Sequence, residues 1–122
     1  MRVLIAEHLS KVRFALRVTL ERQPGLSMVS EVANSDELLA QAENIHPDLV
    51  LLDWELTDLD AENTLRCLRE RCPHVFVIAL SAKDKAREAA VTAGADAFVS
   101  KADPPERLLS AIGDYWNSRT TR

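Results

Sequence analysis

Two hydrophobic periods alternate along this chain. Short unbroken apolar runs, Val3–Ala6, Leu49–Leu52 and Val75–Leu80, give way to segments in which apolar residues recur every three or four positions. An unbroken run of that length reads as a strand buried on both faces, as in a parallel sheet, and the spaced pattern reads as an amphipathic helix. Weaker strands are expected over Met28–Val32 and Ala97–Ser100.

The first helix is expected from about Ser10, with Val12, Ala15, Leu16, Thr19 and Leu20 on one face and a stop at Pro24-Gly25. Asn34 followed by Glu37 has the spacing of a capping box for a second helix, whose stripe Leu38, Leu39, Ala42 and Ile45 ends before Pro47. Asp60 can cap a third helix carrying Leu65 and Leu68, closed by Pro73. The Ala-rich segment Lys83–Ala93 should form a fourth, stopped by Gly94. Pro104-Pro105 opens a fifth, with Leu108, Leu109, Ile112 and Trp116 on one face.

Five repetitions of strand then helix predict an α/β domain with a five-stranded parallel sheet, doubly wound, in strand order 2-1-3-4-5. Ligands and chemistry collect at the carboxyl ends of such strands. The residues there are Glu7 and His8 after the first strand, Asp53 after the third, Ser81 after the fourth and Lys101 after the fifth. Alone, each has an ordinary reading: Asp53 starts a turn, Ser81 caps a strand, Glu7 and Lys101 face water. Together, carboxylate, hydroxyl and ammonium make a phosphoryl-transfer set. Asp53 can be a nucleophile that forms an acyl phosphate, while Ser81 bonds a phosphoryl oxygen and Lys101 neutralises its charge. A divalent ion held by the first-strand acid would complete the electrostatics.

Composition narrows the partners. The 122 residues make one domain, expected over 1–116, with a polar, frayed tail at 117–122 that could begin a linker to an output domain. Net charge of −4 leaves no basic footprint for nucleic acid. No apolar run approaches the roughly 20 residues of a membrane span, and a cytoplasmic protein is expected. Cys67 and Cys72 have no companion cluster, so neither a zinc site nor a disulfide is suggested.

With the segments Val3-Leu4-Ile5-Ala6-Glu7-His8, Pro47-Asp48-Leu49-Val50-Leu51-Leu52-Asp53, Ala93-Gly94-Ala95-Asp96-Ala97-Phe98-Val99-Ser100-Lys101 and Pro105-Glu106-Arg107-Leu108-Leu109 in view, the chain resembles a response-regulator receiver domain of two-component signalling. It is most similar to the NarL/LuxR-type receivers, whose fold is flavodoxin/CheY-like. The resemblance implies Asp53 as phosphoacceptor from a histidine kinase or small phosphodonor. It implies Ser81 as switch hydroxyl, Lys101 as the phosphate-pairing lysine, Phe98 as the aromatic switch and Ala82 as the small residue that leaves the site open. The implied metal is Mg²⁺, on Asp53, Glu7 and the backbone carbonyl of Glu55. The implied output is a partner, an output domain controlling transcription, or a weakly bound second copy, engaged by the face of the fourth helix, fifth strand and fifth helix.

The chain departs from the family pattern at several points. His8 stands where the family has the second of two adjacent acids, and Mg²⁺ prefers oxygen to an imidazole. Leu9 replaces a polar residue, Thr57 the usual Pro and Ala61 a typical Gly. The stretch from Ser81 to Lys101 is about two residues short, which should shorten the fourth helix or the loop leading into it. Two other readings follow from these features. One is a pseudo-receiver, the same fold used for protein interaction or dimerisation without phosphate. The other, remote, is a phosphatase of the haloacid-dehalogenase type, which needs a further acidic metal motif on its own strand after the lysine. Only Asp103, Glu106 and Asp114 follow Lys101. The receiver reading predicts a switch rather than an enzyme.

Overall fold

The structure, a computed structural model, describes residues 1–56 and 60–120. Ten elements follow in strict alternation: β1 (Arg2–Ala6), α1 (Ser10–Glu21), β2 (Met28–Val32), α2 (Ser35–Ile45), β3 (Leu49–Asp53), α3 (Ala61–Arg71), β4 (Phe76–Ser81), α4 (Ala86–Ala93), β5 (Ala97–Ser100) and α5 (Pro105–Thr120). The strands pair in parallel in the order β2-β1-β3-β4-β5, as expected. Register sets Ala6 opposite Leu52, Asp53 opposite Leu80 and Ser81 opposite Ser100. The polar ends of four strands therefore finish level along one edge.

Alternation along each strand divides the core between the two faces of the sheet. Leu4, Ala6, Val50, Leu52, Val77 and Ala79 pack with Leu38, Leu65, Leu68 and Ala90 of α2, α3 and α4. Val3, Ile5, Leu49, Leu51, Ile78 and Leu80 pack with Leu20, Leu108 and Ile112 of α1 and α5. Each large aliphatic side chain taken out of water contributes about 1.5–3 kcal/mol, so both layers hold the strand ends in place. Among the described residues, no helix is long and apolar enough to cross a membrane.

The helix boundaries have local causes. The Asn34 side chain accepts the Glu37 N–H at 2.9 Å, and the Glu37 carboxylate reaches back to the Ala33 N–H at 3.3 Å, one residue earlier than a capping box would have it. Asp60 caps α3 through the Glu62 N–H at 3.0 Å. Gly94 ends α4 at φ 110°, a left-handed conformation that costs glycine little.

Four details differ from the sequence expectations. The fourth strand runs one residue later, so that Ser81 belongs to it. Helix α4 starts at Ala86 rather than Lys83, because Lys83–Lys85 form a turn closed by the Ala86 N–H on the Lys83 carbonyl at 3.0 Å. Leu109 is half-buried, leaving Leu108 and Ile112 as the α5 core residues. The tail is helical as far as Thr120, its end tied back by Arg119 to Asp48 at 3.1 Å. Thr57 lies outside the described residues.

Candidate functional site

Glu7 and Asp53 end up side by side because β1 and β3 are neighbours and each run of apolar residues stops at the same edge. Both carboxylates are fully buried. Such groups need compensation, and Lys101, immediately after β5, supplies it to both: its Nζ lies 2.8 Å from Glu7 Oε1 and 2.9 Å from Asp53 Oδ1. The contact to Asp53 is a directed hydrogen bond, whereas that to Glu7 is an ion pair off the hydrogen-bond direction. The Leu9 N–H donates to Glu7 Oε2 at 3.1 Å, and the Glu55 N–H to Asp53 Oδ1 at 3.0 Å.

His8, partly exposed, closes the remaining side. Its N–H donates to Asp53 Oδ2 at 3.2 Å, and its ring Nδ1 contacts the same oxygen and lies 3.4 Å from Glu7 Oε2. Burial opposes ionisation of Asp53, but hydrogen bonds from Lys101 and His8 and the lysine's charge outweigh it and hold the carboxyl below its ordinary range. Glu7 goes the other way: burial dominates, only partly offset by Lys101 and the Leu9 N–H, and its pKa is raised. For Lys101, burial is outweighed by Glu7 and Asp53, so the ammonium is held above its ordinary value. Of the two carboxyls, Asp53 is the one whose ionised form its surroundings favour.

Ser81 is fully buried at the end of β4. Its Oγ donates to Glu55 Oε2 at 2.8 Å and accepts the Lys83 N–H at 3.0 Å. Ala82 beside it is exposed and puts no bulk over the site. Phe98 is buried in β5, with the Arg87 guanidinium 4.6 Å from its ring centroid. All the strand-end residues expected from the sequence therefore meet at one edge of the sheet. Sequence reasoning missed the Glu55 side chain, for which only the carbonyl had a role, and it missed Arg87. The position of Glu55, two residues past Asp53, was the one available signal.

A divalent ion has a donor set here. Ligand atoms of Glu7, His8 and Asp53 all lie within 4.8 Å of one another. Two carboxylates fit Mg²⁺, while the imidazole nitrogen suits Mn²⁺ better. Among the described residues no strand follows Lys101: Asp103 precedes α5, and Glu106 and Asp114 lie on it. That arrangement does not supply the haloacid-dehalogenase motif.

The chain matches the response regulator receiver domain over residues 3–113. It is 30% identical over 112 residues to the nitrate/nitrite response regulator protein NarL of Escherichia coli, covering 90% of this chain and 51% of that protein. It is 26% identical to the response regulator protein VraR of Staphylococcus aureus, covering 91% and 54%. A protein-glutamate methylesterase/protein-glutamine glutaminase of Alkalilimnicola ehrlichii is 30% identical, over 93% of this chain but 28% of that protein. The chain thus spans from about a quarter to about half the length of these relatives. Among solved structures, a LuxR-family two-component response regulator from Aurantimonas sp. superposes with a TM-score of 0.86 at 25% identity, covering 96% of this chain and 85% of that one. A CheY-like receiver domain protein from Methanospirillum hungatei gives 0.83 at 25%, covering 98% and 96%. The chain belongs to the response regulator receiver domain family of two-component signalling, and is of the NarL/LuxR type.

Proposed function

We propose that this receiver is a phosphorylation-driven switch with Asp53 as phosphoacceptor. The observation that carries the reading is the Asp53–Lys101 pair at the level end of four strands, 2.9 Å long, with the carboxyl held in its ionised form. In the reaction, an Asp53 oxygen attacks the phosphorus of a phosphohistidine on a histidine kinase, or of a small acyl phosphate. The donor's P–N or P–O bond breaks and the leaving group departs with that electron pair, an imidazole taking up a proton and a carboxylate leaving as the anion, and an aspartyl phosphate remains. Lys101 Nζ, 2.9 Å from Asp53 Oδ1, would neutralise the phosphoryl oxygens brought in beside that carboxylate. A bound Mg²⁺ on Asp53, Glu7 and the Glu55 carbonyl would supply further charge neutralisation, weakly, because His8 replaces an oxygen ligand.

Ser81 then bonds the phosphoryl group and Phe98 turns toward the vacated space, which repacks the α4–β5–α5 face. That face engages an output domain, a partner protein or weakly a second copy, in the cytoplasm. The experiment is phosphorylation by acetyl phosphate with Mg²⁺, read by intact-protein mass. One added phosphoryl group is expected in the wild type and none in Asp53→Asn. Persistence of the modification in Asp53→Asn would mean that the acceptor lies elsewhere.

His8 favours a second reading, because its ring sits on the carboxylate that would be phosphorylated. In that reading the fold is a phosphate-independent interaction module. A wild-type chain that never gains a phosphoryl group, with Mg²⁺ or with Mn²⁺, establishes it.

A further inference from the structure

Ser81 has one hydroxyl proton to give, and Glu55 receives it. Glu55 sits in the turn after β3, half-buried, with its main-chain N–H on Asp53 and its side chain on Ser81. One residue thus touches both the carboxylate and the hydroxyl of the site. We propose that Glu55 is a latch, a positioning residue that retains the Ser81 hydroxyl until a phosphoryl group on Asp53 competes for its proton. The proposal rests on Asp53 as phosphoacceptor and Ser81 as switch hydroxyl.

The competition has a definite direction. In the resting chain the proton goes to a carboxylate, which gives a charge-assisted bond stronger than one to a neutral acceptor. A phosphoryl group brings three acceptor oxygens and a charge of about −1.5 to −2. It out-competes a single carboxylate for the proton and repels Glu55 as a like charge. Glu55, being half-buried, can swing into water when it lets go. Without a phosphoryl group nothing displaces it, so the latch opposes switching in the unmodified chain.

The latch also has a route to the aromatic residue. The Lys83 N–H rests on Ser81 Oγ, the Lys83 carbonyl accepts the Ala86 N–H at 3.0 Å, and the Asp84 carbonyl accepts the Arg87 N–H at 3.1 Å. Arg87 covers the Phe98 ring. Moving the hydroxyl therefore pulls on the turn that starts α4, and through it on the guanidinium that keeps Phe98 in place.

The test is a double-mutant comparison by amide NMR in the full chain, without any phosphodonor. In Glu55→Ala the Lys83 and Arg87 resonances should move roughly a third or more of the way toward their positions in fluoroberyllate-treated wild type, a population shift toward the switched state. Glu55→Gln, which keeps a neutral acceptor, should move them less. In a Ser81→Ala background, Glu55→Ala should produce no further shift. Resonances that stay still in Glu55→Ala, or move equally when Ser81 is already gone, overturn the latch. A wild type that ignores fluoroberyllate overturns the phosphoacceptor reading and the latch with it, whereas a wild type that responds while Glu55→Ala leaves the resonances still overturns the latch alone.

Discussion

Asp48 precedes β3 and Asp53 ends it, five residues apart on one strand, and their surroundings differ in kind. Asp48 is about a third exposed, accepts the Arg2 N–H at 2.8 Å and forms an ion pair with the Arg119 guanidinium at 3.1 Å. Its main chain is equally occupied: its N–H donates to the Arg2 carbonyl at 2.9 Å, while its carbonyl accepts from Phe76 at 3.0 Å and from the Tyr115 hydroxyl at 3.2 Å. At this end one acid meets a full set of donors. At the other end two buried acids share Lys101, and an imidazole closes the gap. Both aspartates are held below their ordinary range, yet the cost at the Asp53 end appears on Glu7, whose pKa is pushed up by burial. A satisfied acid anchors a strand. An acid that is one cation short is a place for chemistry.

The contrast is broken most severely by removing the shared cation. Lys101→Ala leaves two carboxylates buried without their partner, and stripping one side of a buried ion pair costs about 3–5 kcal/mol. Arg119→Ala, at the other end, removes a partner that water can replace and should cost less than about 1 kcal/mol. Urea unfolding of both variants at neutral pH, with chelator present, makes the comparison. Equal losses would show that the Asp53 end is not short of positive charge.

Adding an oxygen ligand sharpens the contrast from the opposite side. His8→Asp rebuilds a three-carboxylate site and should tighten Mg²⁺ binding at least tenfold, about 1.4 kcal/mol or more. Trp54, one residue past Asp53 and half-buried, gives a fluorescence readout. Wild-type affinity that is already strong and unchanged in His8→Asp would mean that Glu7 and Asp53 hold the ion and His8 is a bystander.

How legible each end was from the sequence follows the same division. The sheet, its order and three of the helix ends could be read because they depend on local signals: unbroken apolar runs, Asn34, Asp60 and Gly94. Glu7, Asp53, Ser81 and Lys101 could be read because strand ends fall at one edge of a parallel sheet. The start of α4 could not, since it depends on Lys83 donating to Ser81 across a turn. The role of the Glu55 side chain was hidden for a similar reason, because it depends on how the turn after β3 aims the residue at a neighbouring strand. The helical tail escaped the reading too: its polar residues look solvated in sequence, and only the fold brings Asp48 within reach of Arg119. The missed turn at Lys83 is local, whereas the missed contacts of Glu55 and Arg119 are tertiary.

A smaller effect than that of Lys101→Ala or His8→Asp should come from Asp48 itself. Asp48→Asn keeps the shape and an acceptor for the Arg2 N–H but removes the charge, so the loss at neutral pH should be about 1 kcal/mol, the scale of one exposed charge-assisted contact. Its pH dependence identifies it. Burial raises the Asp48 pKa, but the Arg2 N–H and Arg119 outweigh it, so the folded value lies below the ordinary value of 3.8. A depressed folded pKa contributes stability above the unfolded value, and that contribution is lost as pH falls through the folded one. The difference between wild type and Asp48→Asn should therefore be constant from neutral pH down to about pH 5, shrink through the region below 3.8, and vanish in stronger acid. Thermal unfolding across that range checks it. A difference that persists in strong acid would mean that Asp48 anchors β3 through shape and neutral hydrogen bonds rather than charge, and the leading end of the strand would then owe nothing to the Arg119 pair.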